Sequence, residues 1–215
     1  MAKVSLTFDN GPDPKVTPFV LETLRERGLS ATFFVIGSKV ASGENMDIVR
    51  RAFHEGHQIG NHTYTHGTPF GELKSPNDAV REIMDTAALL EETTNQRDKL
   101  FRPFGGGGYL DHRLLNRAAV QCLLTENYTC VIWNNVPRDW EAPDDWAHLA
   151  LETARSQSWS VVVLHDFVPQ AMRHLPHFLD LLIEEEHQIV QGFPIDCTPI
   201  RRGKIMVESL EKWMP

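Results

Sequence analysis

Short runs rich in Val, Ile, Leu and Phe recur along the chain, and the segments between them carry apolar residues at helical spacing. The runs at 4–8, 31–36, 58–60, 100–101, 129–133, 161–164 and 189–190 are predicted strands. They are apolar on both faces, as in a parallel sheet covered by helices, rather than alternating as strands with one wet face do. Between them, Thr17-Pro18 opens a helix over 19–27 that Gly28 closes, Asn45 opens one over 46–55 closed by Gly56, and Ser75-Pro76 opens a long one over 77–95. Further helices are expected over 111–123, 144–156 and 169–186. This alternation leaves two architectures, an open doubly wound sheet or a barrel.

The polar positions favour the barrel. Asp9-Asn10, His62 and His66, Arg102, Asp139 and His165 each fall at or just past the end of a different predicted strand. In a barrel those ends share one rim, where barrel active sites are built, whereas an open sheet spreads them along a line. The expected fold is therefore α/β, a distorted or incomplete (β/α) barrel of about seven parallel strands with outer helices. The 215 residues are few for a full eightfold barrel of roughly 250. No repeat, low-complexity tract or linker divides the chain, so 1–215 is expected to form a single domain.

Composition narrows the function classes. With 21 Lys and Arg against 29 Asp and Glu the net charge is -8 and the cations are scattered, which disfavours nucleic acid as a partner. No run of about 18 apolar residues occurs, so no transmembrane segment is expected. The chain reaches Asp9 before an apolar stretch of signal-peptide length, which gives a cytoplasmic expectation. Cys122, Cys130 and Cys197 are odd in number and form no C-x-x-C pair, so they are read as reduced, mostly buried thiols. Trp146, Trp159 and Trp213 are read as exposed aromatics, open to subunit contact, sugar stacking or ordinary packing, with packing the default.

Singly, each polar motif has an ordinary reading. Asp9-Asn10-Gly11-Pro12 is a common turn, Arg102 before Pro103-Phe104-Gly105 is a loop arginine, and His165 after Val161-Val162-Val163-Leu164 is a core histidine. His62 and His66, four positions apart, can converge on one metal if their segment is helical or tightly turned. The absence of Glu after His62 excludes the H-E-x-x-H protease signature. Asp139, ahead of Trp140, is expected to pair with Arg102.

Taken in order from Asp9 to His165, these segments resemble the motifs of the polysaccharide deacetylase family, also called the NodB-homology domain or carbohydrate esterase family 4. The resemblance implies a distorted barrel and metal-assisted removal of acetyl groups from N-acetylated carbohydrates. It implies Asp9 as the general base, His62 and His66 as ligands of a divalent metal such as zinc or cobalt, and Asn10 at the third ligand position. It makes Arg102 the residue that orients Asp9, with Asp139 holding Arg102, and His165 the general acid. Trp140, with Val163 and Leu164, would wall the pocket for the acetyl methyl, and the Phe104 N–H would serve the oxyanion.

Two departures from the family pattern matter. Asn10 stands where a second aspartate is usual, and a neutral oxygen beside two imidazoles implies a weakly held metal. Arg102-Pro103-Phe104 runs into Gly105-Gly106-Gly107-Gly108, whose backbone freedom permits unusual angles near a ligand. Two other readings stay open, a hydrolase of a non-sugar cyclic amide with little or no metal, and a carbohydrate-binding protein that has lost catalysis. The second leaves a separate base and acid without purpose. The sugar's identity and the oligomeric state are not legible in the sequence.

Overall fold

The computed structural model describes residues 2–215. Nine strands form one sheet: β1 (Lys3–Asp9), β2 (Thr32–Val35), β3 (Gln58–Asn61), β4 (Leu100–Phe101), β5 (Thr129–Cys130), β6 (Trp159–His165), β7 (Gln188–Ile189), β8 (Ile200–Arg201) and β9 (Lys204–Ile205). The order is β6-β1-β2-β3-β4-β5-β8-β9, with β7 paired to the start of β1. β1 to β7 pair in parallel, as the continuous apolar runs require, and β8 and β9 add an antiparallel hairpin that the sequence reading lacked. The hairpin turns through Arg202 and Gly203, both at positive φ (47° and 70°), as the tight two-residue turn of a twisted hairpin needs.

The sheet curls until its far side meets its near side. Beyond β5, Val131 N–H donates to the Phe101 carbonyl (2.8 Å) and Ile132 N–H to the Cys197 carbonyl (2.9 Å). Asn135 then forms a single parallel bridge with Val162 on β6. The expected strand 129–133 thus ends at Cys130, and one bridge closes the distorted barrel.

Eight helices accompany the strands: α1 (Thr17–Glu26), α2 (Gly37–Val40), α3 (Gly43–His54), α4 (Pro76–Thr93), α5 (Arg117–Thr125), α6 (Trp146–Ser156), α7 (Pro169–Met172) and α8 (Leu175–Glu184). The helix expected from 111 starts six residues later, because the Asn116 side chain accepts from Ala119 N–H and caps it there. The helix expected over 169–186 breaks between α7 and α8, where Pro176 occupies the first turn of α8 and cannot donate to a preceding turn.

Strand alternation divides the core. Val4, Leu6, Phe8, Val162 and Leu164 point outward into a cluster shared with α1, α3, α6 and α8. The barrel interior, continuous with the cluster under α4 and α5, holds Phe34, Phe101, Val161 and Val163. Trp146 and Trp213 are buried, and Trp146 Nε1 donates to the Ala171 carbonyl (2.9 Å), so these two are packing residues and not exposed platforms. Cys130 and Cys197 are buried thiols and Cys122 is half-buried, none of them paired.

Candidate active site

The parallel register sets the frame of the site. Asp9 is the partner of His165 across β1 and β6, so the two Cα atoms sit at the same height on strands ~4.8 Å apart. Asn61 pairs with Phe101 at the same level, which brings His62 and Arg102 to the rim one residue later. Arg102 N–H continues the ladder to the Asn61 carbonyl (2.9 Å), and His62 N–H to the Val35 carbonyl (3.0 Å).

Arg102 is wholly buried and lies across the barrel interior over the Phe34 ring (4.1 Å). Its Nη1 donates to Asp9 Oδ1 (2.8 Å) and to Thr7 Oγ1 (2.7 Å), and its Nε donates to the Val131 carbonyl (3.3 Å). An arginine in so apolar a place is tenable because the Asp9 carboxylate neutralises it; stripping one partner from such a pair costs about 3–5 kcal/mol. Thr7 belongs to the site through the same period-two alternation that turns Asp9 inward.

Asp139 does not hold Arg102. Its Oδ1 lies 2.7 Å from His165 Nδ1 and its Oδ2 accepts His165 N–H (2.8 Å), so the carboxylate grips ring and backbone of one histidine. The reason is position: Asp139 follows the crossing at Asn135, which places it beside β6, while Arg102 is already committed to Asp9 on β1. Burial alone would lower the pKa of His165, but the Asp139 hydrogen bond and charge, with Asp9 and Asp166 adding, raise it above the ordinary value.

His62 Nδ1 lies 2.9 Å from the Arg102 carbonyl, which fixes Nδ1 as the donor and leaves the Nε2 lone pair free, 3.8 Å from Asp9 Oδ2. The His66 ring is 4.9 Å from that of His62 and 3.9 Å from Phe104, centroid to centroid. Burial, with the nearby Arg102 and His165, pushes the pKa of His62 down to about 3. Burial, with His62 beside it, does the same for His66, and both rings are neutral at neutral pH. The Asn10 Oδ1 atom is buried without a hydrogen-bond partner. Two neutral imidazoles and an orphaned amide oxygen on one cavity are the donors here able to hold a cation. Among the described residues no group of three or more His, Cys, Asp or Glu is arranged as a ligand cluster.

These residues open onto a cavity of about 390 Å³ lined by Asp9, Asn10, His62, His66, Phe104, Trp140, Val163 and His165, with Trp133, Val136, Phe167 and the glycine segment completing it. Leu164 is not in the wall: it faces the outer cluster, since alternation along β6 turns Val163 and His165 inward and Leu164 outward. Trp140 stands edge-on to the His165 ring (4.8 Å). Lys39, unforeseen in the sequence, donates to the Asn10 carbonyl (2.7 Å). Only its fold, not any local motif, brings it there.

Comparison with known proteins bears on the family and the fold. Residues 2–122 match the family model for polysaccharide deacetylase. A peptidoglycan-N-acetylglucosamine deacetylase of Bacillus cereus is 34% identical over 165 residues, 76% of this chain and 72% of the relative. A chitooligosaccharide deacetylase of Azorhizobium caulinodans is 33% identical over 172 residues, 78% of this chain and 75% of the relative. Some other curated relatives are longer, and the chain spans less than half of them. The crystal structure of a polysaccharide deacetylase from Bacillus cereus superimposes with a TM-score of 0.75 at 27% identity, covering 94% of this chain and 97% of that one. On the ordered motifs, the barrel that gathers them and these matches, the chain belongs to the polysaccharide deacetylase family of amide-cleaving hydrolases.

Proposed function

We propose that this chain is a metal-dependent deacetylase that removes the N-acetyl group from an amino sugar of an oligosaccharide or polysaccharide. The observation that carries the reading is the pairing of Asp9 with His165 on adjacent strand ends, each tied to its own buried counter-ion, Arg102 and Asp139, over one cavity. The relatives' names, peptidoglycan and chitooligosaccharide deacetylases, support a carbohydrate substrate.

An unactivated amide needs an activated water, a polarised carbonyl and a protonated leaving amine. A divalent cation, zinc or cobalt as the family resemblance implies, would be held by His62, His66 and Asn10 and would supply Lewis-acid polarisation. Asp9 takes the proton of the attacking water, its free Oδ2 facing the histidines while Arg102 fixes Oδ1. The new C–O bond forms as the carbonyl π electrons move to oxygen, where the Phe104 N–H is the chain donor we assign to the oxyanion. His165, charged with the help of Asp139, presents Nε2–H to the nitrogen, the C–N bond breaks, and acetate and a free amine leave. Trp140 and Val163 wall the space for the acetyl methyl.

The test is acetate release from N-acetylglucosamine oligomers by chelator-stripped protein with zinc or cobalt restored. Release that depends on the metal and falls at least a hundredfold in Asp9→Asn is expected. No release with any metal overturns the proposal.

A further inference from the structure

The loop that carries both histidines is held in a costly conformation from outside. Thr63 and His66 both adopt left-handed backbone, at φ 67° and 54°. For residues with a Cβ this region is unfavourable by about 1 kcal/mol or more, and a β-branched threonine is among the poorest fits. Such a loop persists only where its surroundings over-determine it.

Part of the restraint is internal. Asn61 Oδ1 accepts Thr63 N–H (3.0 Å) and Thr63 Oγ1 accepts His66 N–H (3.0 Å). The carbonyls of Thr63 and Tyr64 are taken by the first amides of α2, from Gly37 (3.0 Å) and Ser38 (2.8 Å). That leaves the amides at the loop's crest, and one side chain on α4 takes them. Glu82 Oε2 accepts both Tyr64 N–H (2.8 Å) and Thr65 N–H (2.7 Å), and Oε1 accepts the Thr65 hydroxyl (2.8 Å). The next residue of α4 adds an anchor, as the Ile83 carbonyl accepts from Asn61 Nδ2 (2.8 Å). Bonds to an ionised carboxylate are roughly twice as strong as neutral ones, so this is the strongest grip on the loop. Glu82 is not drawn away by its neighbour, since Arg81 turns to Asp78 (2.6 Å).

We propose that Glu82 is a positioning residue: its three-bond clamp on Tyr64 and Thr65 fixes the His62–His66 loop and thereby the spacing of the two imidazoles. This rests on the reading of those imidazoles as cation ligands. Glu82 touches neither ring; it acts on the backbone that carries His66. Glutamine at this position offers one acceptor oxygen in place of two and no charge, and alanine offers none.

The experiment is calorimetric zinc titration of chelator-stripped protein, with thermal melts and hydrogen–deuterium exchange over 62–66, for wild type, Glu82→Ala, Glu82→Gln and Asn116→Ala. The last removes the cap of α5 and its bonds to the Phe70 and Pro76 carbonyls (2.9 and 3.5 Å), touches neither Glu82 nor residues 62–66, and serves as a matched destabilisation. Both Glu82 variants are expected to raise the zinc Kd about tenfold or more and to lose protection at residues 64–66. Asn116→Ala should keep the wild-type Kd with an equal or larger fall in Tm. A wild-type Kd in Glu82→Ala, or an equal loss in Asn116→Ala, overturns the proposal. If wild type itself takes up no zinc, the metal reading fails separately. Exchange then decides on Glu82: protection lost at 64–66 in Glu82→Gln upholds the clamp, and unchanged protection overturns it.

Discussion

Burial by itself would strip His165 of its proton, and the Asp139 carboxylate at 2.7 Å reverses that. Asp139→Asn keeps the shape and removes the charge, so the basic limb of the kcat/KM profile, set by loss of the His165 proton, should move to lower pH with at least a tenfold fall in activity. A basic limb that stays in place would detach Asp139 from the acid. Asp166, next in the chain, behaves in the opposite sense. Its burial, only partly offset by the Thr17 hydroxyl at 2.6 Å, pushes its pKa up to about 6. A carboxyl that ionises near ~3.9 in the unfolded chain is then more often protonated in the folded one. Its contribution to stability is present below pH ~4 and is lost as pH rises through about 6, worth on the order of 3 kcal/mol by pH 8. Asp166→Asn, neutral throughout, should therefore gain stability against wild type between pH 4 and pH 8, read by urea unfolding at both. A constant difference would contradict a buried, protonated Asp166.

The elements meet at close tolerances that follow from which strands become neighbours. On β3, a Cβ on Gly60 would run into the Phe34 ring on β2, inside the barrel. Gly60→Ala is therefore expected to cost about 1–3 kcal/mol, a fall in Tm of roughly 2–4 °C per kcal/mol for a chain of this size. An unchanged melting curve would show that Phe34 can give way. Element positions were largely legible because burial on both faces leaves a plain apolar signature in the strands. The errors have local causes. The late start of α5 turns on the Asn116 side chain choosing the Ala119 amide, and a periodicity count over 111–123 does not weigh caps. The break before α8 was visible as Pro176, a residue at home in a first turn and not in a helix interior. The β8–β9 hairpin has strands of two residues each, too short to show alternation.

For the whole molecule, a cation that binds only the folded chain must raise its stability by mass action. Zinc at a hundred times its Kd should add about 2.7 kcal/mol, or roughly 5–10 °C in Tm, and chelator should take it away. No shift at millimolar zinc would remove the cation from the site. The order of Asp9, His62, His66, Arg102, Asp139 and His165 and the strand ends beneath them were set by sequence alone, since strand periodicity is local and parallel strands put their carboxyl ends on one edge of the sheet, which only the closed barrel curls into a rim. Who pairs with whom was not. Asp139 stands 37 residues from Arg102 and 26 from His165, and separation along the chain does not rank those partners. The crossing of Asn135 to β6 decides it. Likewise Leu164 left the wall because the strand's facing is settled only once β6 has neighbours, and Glu82 and Lys39 reached the site because α4 and α2 pack where the closed sheet lets them. Local chemistry can be read from residue order, whereas partnership between distant charges depends on distances that exist only after the barrel has closed.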